Sequence, residues 1–139
     1  MLTRRENRKR LGQCVKCGVE LREGSSSIRC SYHADLRRRS KRRGRKSLKA
    51  KILHEYGGQC ACCGEDEPVF LSIDHIATDG AEHRRSLKNQ GSYTVYRWLS
   101  ANGFPKDNFQ LLCHNCNMGR YLNGGECPHQ KGFRLAVGF

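Results

Sequence analysis

The chain has 139 residues, of which 37% are hydrophobic, and it carries a formal net charge of +13. This length allows one ordinary domain or two very small ones, and a chain so polar needs metals or disulfides to stabilise its limited core. No apolar run is long enough to span a bilayer and no signal peptide opens the chain, so we expect a cytoplasmic protein without a membrane partner.

The positive charge is concentrated in the first part of the chain. Residues 1–54 hold 18 Lys/Arg and 4 Asp/Glu, a net of +14, whereas residues 55–139 hold 8 and 9, a net of −1. A polycation this dense predicts a polyanionic partner, which we expect to be DNA. A merely solvated surface is the alternative interpretation, and the concentration of the charge argues against it.

Nine cysteines fall mostly in Cys-x-x-Cys pairs or close to a histidine. In a reducing compartment such cysteines indicate zinc sites, and their odd number argues against full disulfide pairing. After a basic stretch at residues 1–11, expected to be a flexible arm, twelve residues separate a Cys-x-x-Cys pair from a Cys-x-x-His pair. This spacing predicts a closed, zinc-ribbon-like site. Its ligands are Cys14, Cys17, Cys30 and His33.

Residues 34–56 are predicted to form a basic helical linker. Leu48, Ile52 and Tyr56 recur at helical spacing, which predicts an amphipathic helix in the second half. Because Gly44 and the dense charge weaken a free helix, we expect the segment to become fully helical only on phosphates. A nuclear-localisation tract is the competing interpretation. The predicted phosphate contacts are Arg37, Arg38, Arg39, Lys41, Arg42, Arg43, Arg45 and Lys46.

A β-rich run at residues 69–73 is predicted to deliver Asp74 and His75 at the end of a strand. Beyond it, two short helices are expected over residues 81–89 and 93–99, and Tyr96, Trp98 and Leu99 of the second helix are expected to be core rather than base-stacking residues. The first helix carries three residues that either contact phosphate near the site or belong to a solvated face. They are His83, Arg84 and Arg85.

A second strand is predicted over residues 108–112, followed by a helix that carries Asn117 and ends near residues 123–125. Two Cys-x-x-Cys knuckles, separated by 49 residues, supply four thiolates to a closed structural zinc site. Its ligands are Cys60, Cys63, Cys113 and Cys116. Cys62 is interpreted as a spare thiol. Cys127 and His129 are interpreted as packing residues, because two ligands are too few for a metal site alone.

The residues beside this zinc have the chemistry that phosphodiester hydrolysis requires. The imidazole of His75 titrates near working pH and suits a general base. Asp74 and Asn117 offer hard oxygen ligands, which favour Mg²⁺ or Mn²⁺ over zinc. Because neighbouring residues of a strand point to opposite sides, His75 and Asp74 are expected to flank a phosphate.

Asp-His followed by Asn-x-x-Leu-Leu-Cys-x-x-Cys-Asn resembles the HNH (ββα-metal, His-Me finger) endonucleases over roughly residues 57–123. The phage recombination endonuclease VII type and the intron-encoded (homing) enzymes are the most similar in pattern. The resemblance implies a β-hairpin and a helix that grip one divalent ion, with His75 as general base and Asp74 and Asn117 as catalytic ligands. It also implies that Asn108 braces the loop carrying the base. Asn117 replaces the final His of the motif name, which implies Mg²⁺.

The sequence therefore predicts a small, zinc-stabilised α+β protein in three parts. Residues 1–33 form the arm and zinc-ribbon-like module, residues 34–56 the basic linker, and residues 57–139 an HNH nuclease domain. We expect two structural zinc ions, one catalytic Mg²⁺ or Mn²⁺, and metal-dependent endonuclease activity on DNA, in the host cytoplasm if the origin is a phage. The alternative function is a non-catalytic, zinc-stapled nucleic-acid-binding protein. The form of the DNA, nicking or double-strand cleavage, and the oligomeric state stay open.

Overall fold

The computed structural model describes residues 2–87 and 91–131, and the chain divides into two compact units, residues 1–45 and 46–139. Helices and two short strands confirm the predicted α+β class. None of the helices in the described ranges is long and apolar enough to span a membrane. In chain order the elements are α1 (Arg4–Arg10), α2 (Ser31–Glu55), β1 (Leu71–His75), α3 (Gly80–Ser86), α4 (Ser92–Ala101), β2 (Phe109–Cys113), α5 (His114–Leu122) and a 3-10 turn (Pro128–Lys131).

The first unit opens with helix α1, so the expectation of a flexible arm is wrong for residues 4–10. The side chain of Thr3 accepts the backbone N–H of Glu6 at 3.2 Å, and the Glu6 carboxylate accepts the backbone N–H of Thr3 at 2.7 Å. This reciprocal capping box satisfies two amide groups at the helix start. Arg8 then donates to the carbonyl of Lys16 at 2.9 Å, which ties α1 to the first zinc knuckle.

Helix α2 has 25 residues and is roughly 37 Å long. It runs without interruption through Gly44, so the expectation of a partly ordered linker differs from the structure. The boundary between the two units, after Arg45, lies inside it. The helix ends in a Schellman motif, in which the N–H of Gly58 donates to Leu53 at 2.8 Å and that of Gly57 to His54 at 3.2 Å. Both glycines have positive φ, as this motif requires.

The second unit is built on a two-stranded antiparallel sheet. β1 pairs with β2 so that Leu71 lies opposite Cys113 and His75 lies opposite Phe109. α5 follows β2 directly and packs against both strands. The two predicted strands and the predicted helix that carries Asn117 are thus confirmed, and α3 and α4 lie between the two strands in the chain.

Two hydrophobic clusters form the core of this unit. The first combines the buried leucines of the sheet and of α2 with cysteines, and its leucines are Leu53, Leu71, Leu111 and Leu112. The second holds α4 against α2 and β2, and its buried members are Ile52, Val95, Leu99 and Phe109. Leu99 is buried in this second cluster and Tyr96 and Trp98, both partly buried, pack against it, which confirms the core role predicted for these three residues. Residues 88 and 89 of the predicted first helix lie outside the described residues, and α3 ends at Ser86.

Candidate metal centres and active site

The first predicted zinc site is brought together in the first unit. The ligand atoms of the first metal group (Cys14, Cys17, Cys30 and His33) all lie within 4.8 Å of one another. The sulfurs of Cys17 and Cys30 are 3.8 Å apart, and the sulfur of Cys14 lies 3.7 Å from Nδ1 of His33. Zn–S bonds of about 2.3 Å place two sulfurs about 3.8 Å apart in a tetrahedral site, so these residues fit zinc.

Local backbone geometry prepares this group for a metal. His33 enters from the first turn of α2, while Cys14 is fully buried in the knuckle. Burial raises the pKa of Cys14, but backbone N–H groups that donate to its sulfur outweigh burial and hold the pKa at about 5. The thiolate that zinc requires is therefore the favoured form at neutral pH.

The second metal group (Cys60, Cys63, Cys113 and Cys116) joins the two knuckles of the second unit, as predicted. The sulfurs of Cys63 and Cys113 are 3.7 Å apart, again the separation of two zinc ligands. Cys113 also caps α5, because its sulfur accepts the backbone N–H of Cys116 at 3.4 Å. Burial raises the pKa of Cys60, but N–H groups around its sulfur hold the pKa at about 6.

A third metal group (Cys62, Cys116, Cys127 and His129) was missed by the sequence analysis. Its ligand atoms also lie within 4.8 Å of one another, and Nδ1 of His129 is 3.3 Å from the sulfur of Cys116. Cys62 is therefore not an isolated spare thiol. Cys62 and Cys116 supply the two further ligands that Cys127 and His129 lacked as a pair. The three Cys/His groups are compatible with zinc binding, and together they include all nine cysteines.

Three of the four predicted catalytic residues line one cavity, the candidate active-site cavity. It has a volume of about 410 Å³ and is lined by Asp74, His75 and Asn117, together with Arg84 and Arg120. Asp74 and His75 come from the end of β1, and Asn117 comes from the first turns of α5. The fourth predicted residue, Asn108, lines a neighbouring cavity that also includes His75.

Asp74 is held by two donors. Its Oδ2 accepts the side-chain amide of Gln110 at 2.9 Å from the paired position on β2, and it forms an ion pair with Arg120. Arg120 also donates to the carbonyl of Ile76 at 3.0 Å and to that of Gly125 at 2.8 Å. This arginine was not singled out in the sequence. It connects the end of β1 to α5 and to the turn that follows α5.

The two asparagines of the motif have different surroundings. The amide nitrogen of Asn117 donates to the hydroxyl of Ser72 at 3.3 Å, an orientation that leaves its amide oxygen available to a cation. Asn108 lies just before β2, and its backbone carbonyl accepts the N–H of Ile76 at 3.1 Å. The residue after His75 is therefore fixed through the main chain of Asn108.

His75 is buried and has an ordered neighbourhood. Its Nε2 lies 2.8 Å from Nδ1 of His83 on α3, and its ring stacks at a tilt on Phe109, with centroids 4.6 Å apart. His83 in turn packs edge-on against Trp98. Burial lowers the pKa of His75 below its usual 6.5, and the nearby Asp79 carboxylate offsets this only in part. The imidazole is therefore neutral at pH 7 and able to accept a proton.

Gly80 packs closely against His75. Gly80 is buried at the start of α3, and a Cβ atom there would lie 2.8 Å from Nδ1 of His75, which is closer than real Cβ contacts. Only a residue without a side chain therefore fits beside the Nδ1 edge of this ring, while Nε2 is engaged by His83.

The predicted phosphate-contacting residues are exposed. All eight basic residues predicted on α2, from Arg37 to Lys46, have exposed side chains, and Arg38 forms an ion pair with Asp35. Arg84 and Arg85 are also exposed on α3, and Arg84 lines the active-site cavity.

Comparisons of the chain with protein-family models, with curated proteins and with solved structures found no match.

Proposed function

We propose that the chain is a divalent-metal-dependent endonuclease that hydrolyses phosphodiester bonds in DNA. The observation that carries this proposal is the grouping of Asp74, His75 and Asn117 around one cavity that also presents Arg84 and Arg120. A carboxylate, a neutral imidazole, an amide and two guanidinium groups are the set of side chains that metal-assisted cleavage of a phosphodiester needs. The resemblance of these residues to the HNH motif supports the same proposal.

His75 acts as the general base in this proposal. Because Nε2 faces Nδ1 of His83, the atom that accepts a proton from water is Nδ1. This requires His75 to carry its own proton on Nε2 and to donate it to His83. His83 is then a positioning residue, which fixes the tautomer of the base as the partner of a catalytic histidine commonly does.

Asp74 and Asn117 are the proposed holders of the catalytic ion. Their oxygens suit Mg²⁺ or Mn²⁺, and Mg²⁺ takes its remaining ligands from water and from substrate phosphate. When bound, the ion supplies positive charge to the phosphate and to the leaving oxygen. Arg120 forms an ion pair with Asp74 and thereby holds this carboxylate at the wall of the cavity.

The exposed arginines and lysines of α2 are the proposed DNA-binding surface. Cations at this density neutralise phosphates and release counterions, which gives affinity without sequence choice. A continuous basic helix is also a form in which proteins present such contacts to duplex DNA.

A non-catalytic nucleic-acid-binding protein is the second candidate, and the basic helix α2 favours it independently of the cavity. It leaves the bond between His75 and His83 and the close packing of Gly80 against His75 without a role. For this reason we place the endonuclease first.

Nicking of supercoiled plasmid tests the proposal. Protein and DNA are first dialysed free of Mg²⁺, and the ion is then added back, because a strong chelator would also remove zinc and unfold the chain. We expect nicking that depends on Mg²⁺ or Mn²⁺ and falls by about 100-fold or more in His75→Ala. His54→Ala, which removes an exposed histidine from α2, is the matched control and should cleave normally.

The outcomes separate the two candidates. Cleavage that survives His75→Ala would remove the proposed base. Binding of DNA by the unmodified chain without cleavage in either metal would favour the non-catalytic protein. Linear and branched duplexes assayed in parallel identify the form of DNA that is cut.

A further inference from the structure

We infer that Cys116 bridges two zinc ions, so that the second and third metal groups form one dinuclear centre. Cys116 belongs to both groups, and the ligand atoms within each group lie within 4.8 Å of one another. This inference does not depend on the proposed catalytic activity.

The number of ligands fits a shared thiolate. Two separate tetrahedral zinc ions need about eight ligands, and two that share one thiolate need about seven. The two groups together contain seven residues: Cys60, Cys62, Cys63, Cys113, Cys116, Cys127 and His129. With Cys116 shared, each ion has four ligands, and no cysteine of the chain is left over.

Cys116 has the position that a bridging ligand requires. Its side chain is fully buried at the start of α5, and the sulfurs of Cys113 and of Cys127, which is only 1% exposed, both lie within 4.8 Å of its own sulfur. The imidazole of His129 reaches its sulfur at 3.3 Å from the 3-10 turn. Ligands from the two knuckles and from the 3-10 turn thus converge on one sulfur.

Formal charge is compatible with two ions as well as with one. A single zinc held by four thiolates carries a net charge of about −2, which is costly in a buried place. The second ion brings two positive charges, and Cys62 and Cys127 bring two negative ones, while His129 is neutral. The dinuclear centre therefore keeps the net charge of the mononuclear one while satisfying two more thiolates.

Gly119 lets the third group form. A Cβ atom at Gly119 would lie 3.1 Å from Cδ of Pro128 and 3.7 Å from the sulfur of Cys127. The missing side chain allows the segment after α5 to approach the helix closely, and this approach brings Cys127 and His129 to Cys116.

Two other arrangements would use the same residues. A zinc ion in the second group alone would leave Cys62 and Cys127 as free thiols or as a disulfide. Alternatively, a single zinc ion would occupy either the second or the third group, and Cys116 would serve whichever group is filled. Both arrangements predict about two zinc ions per chain, one in each unit, whereas the dinuclear centre predicts about three.

Metal content of the full chain, purified with zinc and freed of loose ions by gel filtration, is the first test. Elemental analysis should give about three zinc ions per chain, and about two would overturn the inference. His129→Ala, at an exposed position, and Cys127→Ser should each lower the count by one. Cys17→Ser should also lower it by one, but from the first metal group.

Cadmium NMR tests the bridge itself. The full chain loaded with an NMR-active cadmium isotope should show two resonances that are scalar-coupled through the shared sulfur. The coupling should persist in Cys17→Ser and disappear in His129→Ala. Three bound ions without any coupling would show that Cys116 serves a single ion, and this would overturn the bridge even if the metal count is right.

Discussion

Nε2 of His75 lies 2.8 Å from Nδ1 of His83, so two histidines eight residues apart along the chain share one hydrogen bond. Only one of the two nitrogens can carry the proton when both rings are neutral. The direction of this bond decides which nitrogen of His75 is able to accept a proton from water, and it makes the tautomer of His75 a measurable property of the site.

Replacement of His83 should impair cleavage through His75. In His83→Leu the acceptor for Nε2–H is lost, and we expect nicking to fall by about 10-fold or more. His83→Asn keeps an acceptor near the position of Nδ1 and should recover part of the rate. Nitrogen NMR of the His75 ring should show the Nε2–H tautomer in the unmodified chain and in His83→Asn. An Nδ1–H tautomer in the unmodified chain would contradict the proposed role of His83.

Gly80→Ala should displace the base without removing it. The new methyl group would lie 2.8 Å from Nδ1 of His75, so the imidazole or the start of α3 must move. Because φ of Gly80 is not in the left-handed region, alanine adds no backbone strain there. We expect cleavage to fall by about 10-fold or more, with DNA affinity retained. Gly44→Ala, in the exposed part of α2, is the control and should not reduce the cleavage rate.

Arg120→Ala should lower the free energy of unfolding. Arg120 donates to Asp74 and to the carbonyls of Ile76 and Gly125, and the paired side chains are only 11% and 15% exposed. Loss of the guanidinium leaves Asp74 partly buried without its ion-pair partner, so we expect a loss of about 2–3 kcal/mol. Urea denaturation at fixed zinc concentration measures this. Arg85→Ala removes an exposed arginine and should change the value by less than about 0.5 kcal/mol; equal effects of the two variants would contradict the role given to Arg120.

Basic residues of α2 should set the salt dependence of DNA binding. On a His75→Ala background, which prevents cleavage, replacing Arg42 and Arg43 by glutamine removes two charges without disfavouring the helix. The slope of log affinity against log salt should become shallower by about 1.8, because each phosphate contact contributes about 0.9. Arg97 and Lys106 are exposed cations of the second unit. Their replacement by glutamine is the matched control, and an equal change of slope there would show that only net charge matters.

Local spacing was sufficient to predict the first two metal groups and the elements around Asp74 and His75. In each case the pattern is local: a β-rich run, or a knuckle that supplies two ligands three residues apart, and the second group joins two such knuckles across 49 residues. The third metal group could not be predicted in this way. Two of its members, Cys62 and Cys116, lie in the two knuckles that were assigned to the second group. Because Cys116 was already assigned to the second group, nothing in the sequence indicated that it also belongs to the third group.

The hydrogen bond between His83 and His75 also could not be predicted from local spacing, because it depends on tertiary structure. Its position in a basic stretch allowed a phosphate contact or a solvated face, and only the packing of α3 beside β1 brings it to His75. For the basic segment of α2, in contrast, the sequence predicted less order than the structure has. Repulsion between its charges and the presence of Gly44 predicted partial order, yet the structure is helical from Ser31 to Glu55. Helix propensity is a weak guide when the end of a helix is anchored in a core, as Ile52 and Leu53 anchor this one.

The sulfur of Cys113 both caps α5 and belongs to the second metal group. Nucleation is the slow and unfavourable step in forming a helix, and a helix of nine residues is too short to persist by itself. Capture of zinc by Cys113 and Cys116 would fix the first turn of α5, so metal binding and nucleation would be one event. A newly made chain would then acquire Asn117 in its working position only when zinc arrives, and the supply of zinc would time the maturation of the site.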